Sequence, residues 1–337
     1  MDDERVMLPG APNLPGLVTR HFRGQADFEG MAAAISAAAD ADGVERVGSA
    51  DDLAATYNHL HNCDLFRDFL IVELSDTIIG YARVQWDEEV STGAILGLLI
   101  AFLAPEGRGH GLGRALLRWQ EERLRELLGN SPGEAGRYYQ VFCAEEELSR
   151  VRLLEHAGYR PIRFFHEMVR PSLEGIPDFP LPEGLETRPV LPADYRPIWE
   201  AWQAALVDHW GYTRPSDEEY KGWLEDQRIF QPELWQVAWE RSTDRVAGGV
   251  LGFIDRIENE KYRRARGYTE CIHVGREWRR RGVARALIAS SLRAQKALGM
   301  TESALGVDSE SLTGATRVYA DCGFAVRKTM RLYRKAF

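Results

Sequence analysis

The run Arg108-Gly109-His110-Gly111-Leu112-Gly113-Arg114 combines the residue types that hold an anion. Glycine lets the backbone take a positive φ and come close to a ligand. The unpaired amides that open a following helix, together with the helix dipole, attract phosphate oxygens. Arginines add charge-assisted hydrogen bonds. The same pattern returns as Arg279-Arg280-Arg281-Gly282-Val283-Ala284-Arg285, 171 residues further on. Each copy follows an apolar stretch, the first ending at Leu103, and each opens a helix-like run. A pyrophosphate is the ligand such a turn suits. Read singly, a glycine turn also arises for steric reasons, and an arginine run as a solvated face. Two copies in matched settings favour the functional reading.

A second pair of signatures follows the first. Leu153-Leu154-Glu155-His156-Ala157-Gly158-Tyr159 is echoed 165 residues on by Val318-Tyr319-Ala320-Asp321-Cys322-Gly323-Phe324. Two signatures repeated at nearly one spacing mean a duplicated domain, and 337 residues suffice for two separate cores. The net charge of −9 argues against a general affinity for nucleic acid, so an anion site must be built locally. The four cysteines (Cys63, Cys143, Cys271, Cys322) lack metal-ligand spacing, so no metal is expected. Free thiols and the lack of a secretory signal suit a reducing cytoplasm. Apolar runs such as 94–103 are too short to span a bilayer, so no membrane partner is expected.

The elements that must position these turns run in the same order twice. Residues 1–16, with Pro9, Pro12 and Pro15, read as a flexible arm, and 171–184, with Pro171, Pro177, Pro180 and Pro182, as a proline-rich linker. Between and after them lie units 17–170 and 185–337. Each has a short strand (17–22; 185–190), a helical segment (28–39; 195–207), a strand (69–73; 235–239) and its hairpin partner (78–86; 247–257). A further strand leads into the glycine turn, a helix leaves it, and strand, helix and strand close the unit. That order implies α+β or α/β units with a mixed central sheet. A dinucleotide fold fares worse, because no acidic ribose-binding residue follows a second βαβ strand at the required place.

On these residues the chain resembles a tandem member of the GNAT (Gcn5-related) N-acetyltransferases. The turn is similar to that family's Arg/Gln-x-x-Gly-x-Gly/Ala motif, and 311–324 to its closing signature. The likeness is strong in the second half and clear in the first only at the glycine turn. It implies an α+β fold of two tandem domains, each with a mixed, mostly antiparallel sheet flanked by helices. It also implies acetyl-coenzyme A (acetyl-CoA) as cofactor, held by residues 279–285, Ile272, Val274, Ser311 and Gly314, and in the first half by Leu103 and residues 108–114. It places Tyr319 as general acid to the leaving thiolate, against the alternative of a core aromatic at a helix–strand seam. The amide near Val274 is where the family polarises the acetyl carbonyl.

The stretch 268–274 alternates faces if it is a strand, putting Tyr268, Glu270, Ile272 and Val274 on one side. Glu270 is then either the base that deprotonates an amine or a charge on a solvated face. His273 points the other way, toward a neighbouring helix or the surface. The first half carries Leu154 where the second has Tyr319, and nothing ionisable from 94 to 103. It is expected to hold coenzyme without turnover and to serve structurally, with His110 a surface residue. In the family the region of Asp208, His209, Trp210 and Tyr212 rims the acceptor pocket, and an acidic, aromatic rim suits a cationic amine; the other reading is a loop pinned by Trp210. The Glu145–Glu147 run reads as a helix N-terminal cluster. The expected enzyme, a monomer or homodimer, acetylates a small-molecule primary amine. The alternatives are a non-catalytic acyl-CoA sensor and a protein or peptide acetyltransferase.

Overall fold

A computed structural model describes residues 5–129, 135–311 and 314–337. Residues 1–4 of the expected arm, and Leu312 and Thr313 of the closing signature, lie outside them. The first half runs β1 (Leu17–Arg20), α1 (Phe28–Asp42), α2 (Ala50–Tyr57), β2 (Phe69–Leu74), β3 (Thr77–Glu88), β4 (Ile95–Leu103), α3 (Leu112–Leu128), β5 (Arg137–Ala144), α4 (Leu148–His156) and β6 (Arg160–Arg170). Residues 5–8 do not form a loose arm. The Val6 amide bonds the Thr19 carbonyl, and Leu8 is buried under β2 and α3, an apolar anchor that holds the segment down.

The second half runs β7 (Leu185–Thr187), α5 (Tyr195–Leu206), α6 (Asp217–Glu225), β8 (Gln236–Glu240), β9 (Arg245–Val250), α7 (Arg256–Tyr262), β10 (Arg266–Tyr268), β11 (His273–Val274), α8 (Val283–Ala297), β12 (Glu302–Asp308), α9 (Ala315–Asp321) and β13 (Ala325–Ala336). Two expected strands are interrupted. The hairpin strand expected to reach Ile257 ends at Val250, because Asp255 accepts a hydrogen bond from the Glu258 amide and caps α7. The strand expected over 268–274 splits into β10 and β11, with Cys271 at a φ of 49° between them.

The chain forms two compact units whose borders differ from the sequence halves. One comprises residues 1–162, 216–226 and 330–337; the other comprises 163–215 and 227–329. In the first, β1, β2, β3 and β4 are successive antiparallel neighbours, and β4 pairs in parallel with β5. Residues 330–336 of β13 then pair antiparallel with β5, with Leu332 and Tyr333 buried. Helix α6 also belongs to this unit. Gly222 lets it close on α2, since a Cβ there would stand 3.0 Å from the Ala55 carbonyl oxygen. His59 Nε2 lies 2.8 Å from Glu225, and His61 bridges Asp87 at 2.6 Å and Glu219 at 3.2 Å.

In the second unit, residues 165–170 of β6 pair antiparallel with β12, and β10 pairs parallel with β12. A separate sheet has the order β11-β9-β8-β7. One chain segment therefore serves two sheets: β10 lies beside β12, and four residues later β11 lies beside β9. The expected linker carries no regular element but is fastened to this unit. Leu173 is buried in its core, and Arg170 donates to the carbonyls of Ser172, Glu174, Gly175 and Cys322.

Since 330–336 complete the first sheet, Tyr333→Ala should destabilise the first unit by about 3 kcal/mol. Denaturant unfolding followed by hydrogen exchange in β4 and β5 checks this; unaltered protection there would show that the strand adds nothing to that core.

Candidate active site

Each glycine turn lies where two parallel strands part. In the first unit β4 pairs with β5 only from Ile95 to Leu98. Beyond that point the gap opens into a cleft of about 330 Å³, lined by Leu99, Ala101 and Leu103 of β4, Val141 of β5, and the turn. In the second unit the break at Cys271 carries the chain away from β12 in the same sense. A gap in a sheet leaves amides and carbonyls without ladder partners, which a ligand can use.

The turns show which glycines matter. Gly111 and Gly282 have φ of 91° and 89°, and each precedes the first residue of a long helix that no side chain caps. A Cβ at either position would meet nothing within 4 Å, so each faces open space. Gly109 (φ 84°) corresponds to Arg280 (φ 61°), a non-glycine residue in the left-handed region, which costs about 1 kcal/mol or more. Gly113, the counterpart of Ala284, has no positive φ, and a Cβ there would make an ordinary 3.5 Å contact with Leu153. Leu112 and Val283 bury their side chains, leaving backbone amides as their contribution to the turn. His110 is exposed.

The arginines divide into two kinds. Arg108 is held by Asp42, and Arg279 by Asp208. Both were expected on phosphate, yet their donors are already engaged inside the protein. Arg285 pairs with Asp321. Arg280 and Arg281 are exposed and make no ion pair or hydrogen bond with any described residue, so the second turn presents two free cations where the first has Gly109 and His110.

Glu270 sits at the bend between β10 and β11. Its Oε1 accepts the Gly306 amide of β12 at 2.7 Å, across the parting strands. Glu270 is half-buried, and its desolvation outweighs the Gly306 and Cys271 amides, so its carboxyl is pushed up to about 7. Tyr319 in α9 has a ring only 7% exposed, and its hydroxyl has no hydrogen-bond partner among the described residues. Burial first, then the Glu270 charge, pushes its phenol well above the ordinary value. Tyr319 feels the Glu270 charge, and the two groups hold protons of very different acidity, as an acid–base pair requires. In the first unit Leu154 is buried and lines the cleft wall, with nothing to titrate.

Other expected residues are placed differently. Tyr268 stacks on Phe253, donates its hydroxyl to Glu258 and accepts from Arg264, so its polar end is occupied. Ile272 and Val274 pack against the second unit's core. His273 is buried, its Nδ1 2.8 Å from the Cys271 carbonyl, and burial pulls its pKa down to about 4. Ser311 and Gly314 lie in the loop before α9, with Gly314 at φ 68°. The 208–212 segment is not a free acidic rim. Asp208 is neutralised by Arg276 and Arg279, and the Trp210 face is covered by the Arg163 guanidinium at 5.1 Å. His209 is half-buried with its pKa lowered by burial and Arg279, and Tyr212 donates to Gln203 at 3.4 Å. Glu147, expected as a solvated helix-start charge, is 5% exposed and accepts the Ala144 amide; burial raises its pKa, but Arg150 and Arg46 outweigh that. Among the described residues no cluster could hold a metal, and no helix is long and apolar enough to cross a membrane.

Residues 31–159 and 198–324 each match the acetyltransferase (GNAT) family, and the chain belongs to that family, in two copies. It is an acetyltransferase by membership. More particularly, it is 27% identical over 314 residues to a mycothiol acetyltransferase of Thermobispora bispora, covering 92% of this chain and 96% of that one. It is 29% identical over 273 residues to a mycothiol acetyltransferase of Streptomyces bingchenggensis, covering 79% and 80%. The crystal structure of a GCN5-related N-acetyltransferase from Sphaerobacter thermophilus superposes with a TM-score of 0.68 at 29% identity, over 98% of this chain and 97% of that one. A tandem GNAT protein from the clavulanic acid biosynthesis pathway shares the fold at a TM-score of 0.65 and 14% identity, over 95% and 98%.

The raised pKa of Glu270 has a consequence for stability. The folded protein holds this proton more tightly than the unfolded chain, so below about pH 4 the group costs nothing, and above about 7 the full penalty applies. Glu270→Gln should therefore stabilise the second unit at pH 8 by on the order of 2 kcal/mol and leave it unchanged at pH 4. Thermal melts at the two pH values test this; equal shifts at both would contradict it.

Proposed function

We propose that the second unit transfers an acetyl group from acetyl-CoA to the primary amine of a small molecule by direct attack. One observation carries the reading: Glu270, its carboxyl pushed up to about 7, is the charge that Tyr319 feels beside its own burial, and no described residue partners the Tyr319 hydroxyl. Gly282, at positive φ and facing open space, opens a cradle that fits a diphosphate, with the first amides of α8 and the guanidinium groups of Arg280 and Arg281, unpaired among the described residues, as its donors. The amide near Val274 polarises the acetyl carbonyl. Glu270 takes the proton from the attacking amine, and Tyr319 returns one to the departing thiolate. No ion enters the balance: the amine loses a proton, the thiol gains one, and the acyl bond moves from sulfur to nitrogen.

The first unit has the turn and the cleft without either titratable group. Its role is to bind coenzyme without turnover. The relatives named mycothiol acetyltransferases favour a small-molecule acceptor over a protein. With Asp208 and the Trp210 face already engaged, and Glu167 paired with Arg266 at 3.4 Å, Glu270 supplies the negative charge an ammonium group would meet.

Thiol release from acetyl-CoA against a panel of primary amines should show kcat/KM rising with pH through about 7 and flattening above it. Glu270→Gln should lower kcat by about 10²-fold or more and abolish that rise, and Tyr319→Phe should lower kcat by about 10²-fold at unchanged affinity for acetyl-CoA. Undiminished turnover in both variants would refute the assignment.

A further inference from the structure

Arg279 and Arg108, the first residues of the two turns, make the same three-way arrangement in chain segments that otherwise differ. Arg279 Nε donates to the Val274 carbonyl at 3.1 Å, one terminal nitrogen donates to the Ala205 carbonyl at 3.1 Å, and the other lies 3.4 Å from Asp208, whose two oxygens also take Arg276. Arg108 Nε donates to the Leu103 carbonyl at 2.9 Å and a terminal nitrogen to the Ala38 carbonyl at 3.3 Å, while Asp42 takes both terminal nitrogens at 2.6 and 2.9 Å. In each unit Nε faces the strand carbonyl five residues back. The terminal nitrogens face the last turn of the unit's long first helix, α1 or α5, and a carboxylate at its end.

The physical logic is that of a staple. The last carbonyls of a helix have no partner within it, and a basic side chain can supply one. Arginine's rigid planar fork reaches a strand end, a helix end and a carboxylate at once; a lysine point charge cannot. The arrangement survives between units that have diverged at the adjoining positions (Gly109-His110 against Arg280-Arg281) and at the acid (Leu154 against Tyr319). What both retain is geometry, while the charge facing outward differs.

We infer that Arg279 and Asp208 are a positioning pair that sets the shape of the anion turn without touching the phosphates, as are Arg108 and Asp42 in the first unit. The phosphate charge is met instead by Arg280 and Arg281. The inference rests on the proposed coenzyme site and adds the division of labour among its arginines. Asp208 also begins the 208–212 segment, so the same pair fixes where that segment leaves α5.

Removing the Asp208 charge separates the two roles by sign. Were Arg279 a phosphate ligand restrained by Asp208, Asp208→Asn would free it and tighten binding of acetyl-CoA, a polyanion. For a positioning pair the same change loosens the turn and weakens binding, by about fivefold for one charged hydrogen bond. Calorimetry with acetyl-CoA on the full chain reads the direction. Arg279→Lys is the second variant. It keeps the charge but not the fork, and should bind as poorly as Arg279→Gln, whereas Arg281→Gln should weaken binding with a shallower dependence on salt. Tighter or unchanged binding in Asp208→Asn, or recovery by lysine at 279, would overturn the pair. Absence of heat with the unaltered protein would instead overturn the coenzyme site itself, and the pair with it.

Discussion

Two parallel strands that stay paired at one end and part at the other set the terms for everything else here. In the first unit β4 and β5 separate after Leu98; in the second, β10 lies on β12 while β11 has moved to β9. Parting costs ladder hydrogen bonds, and buried backbone groups tolerate that only where something else can satisfy them. The wedge therefore leaves backbone groups that a ligand can satisfy. The glycine turn lies at its mouth, a helix start points into it, and any side chain at the bend is drawn out of water.

That last effect turns Glu270 from a surface carboxylate into a group titrating near 7. Two amides help to hold it charged, but desolvation wins. The first unit's wedge is lined by leucines and alanines together with Asp42, Arg108, Arg114, Glu147 and Arg150, and it has Leu154 where the second unit has Tyr319. Duplication has left one architecture with two sets of side chains around the turn. The difference lies in a few side chains, Glu270, Tyr319, Arg280 and Arg281, and in the backbone bend at Cys271 that separates β10 from β11.

The halves are also not independent along the chain. Residues 330–336 pair with β5, and α6 rests on α2, so each compact unit contains sequence from both repeats. A boundary placed by proline content at 171–184 misses this, because composition reports where a chain is extended and says nothing of where it is fastened. Leu173 and Arg170 bind that proline-rich stretch to the second unit.

The sequence alone determined the duplication, the two glycine turns, the mixed sheets and the asymmetry between Tyr319 and Leu154, because those depend on residue type at a fixed spacing along the chain. It also singled out Glu270, though for a reason that needed an unbroken strand. The left-handed turn at Cys271, the depth of Glu270, the occupation of Asp208 and Trp210 by arginines, and the split between inward and outward arginines were decided by tertiary structure. Each depends on which distant groups arrive within a few ångströms: Gly306 for Glu270, Arg163 for Trp210, Ala205 and Val274 for Arg279. Local spelling can show that an arginine is present, but only the fold decides whether its charge is spent inside the protein or left for a ligand.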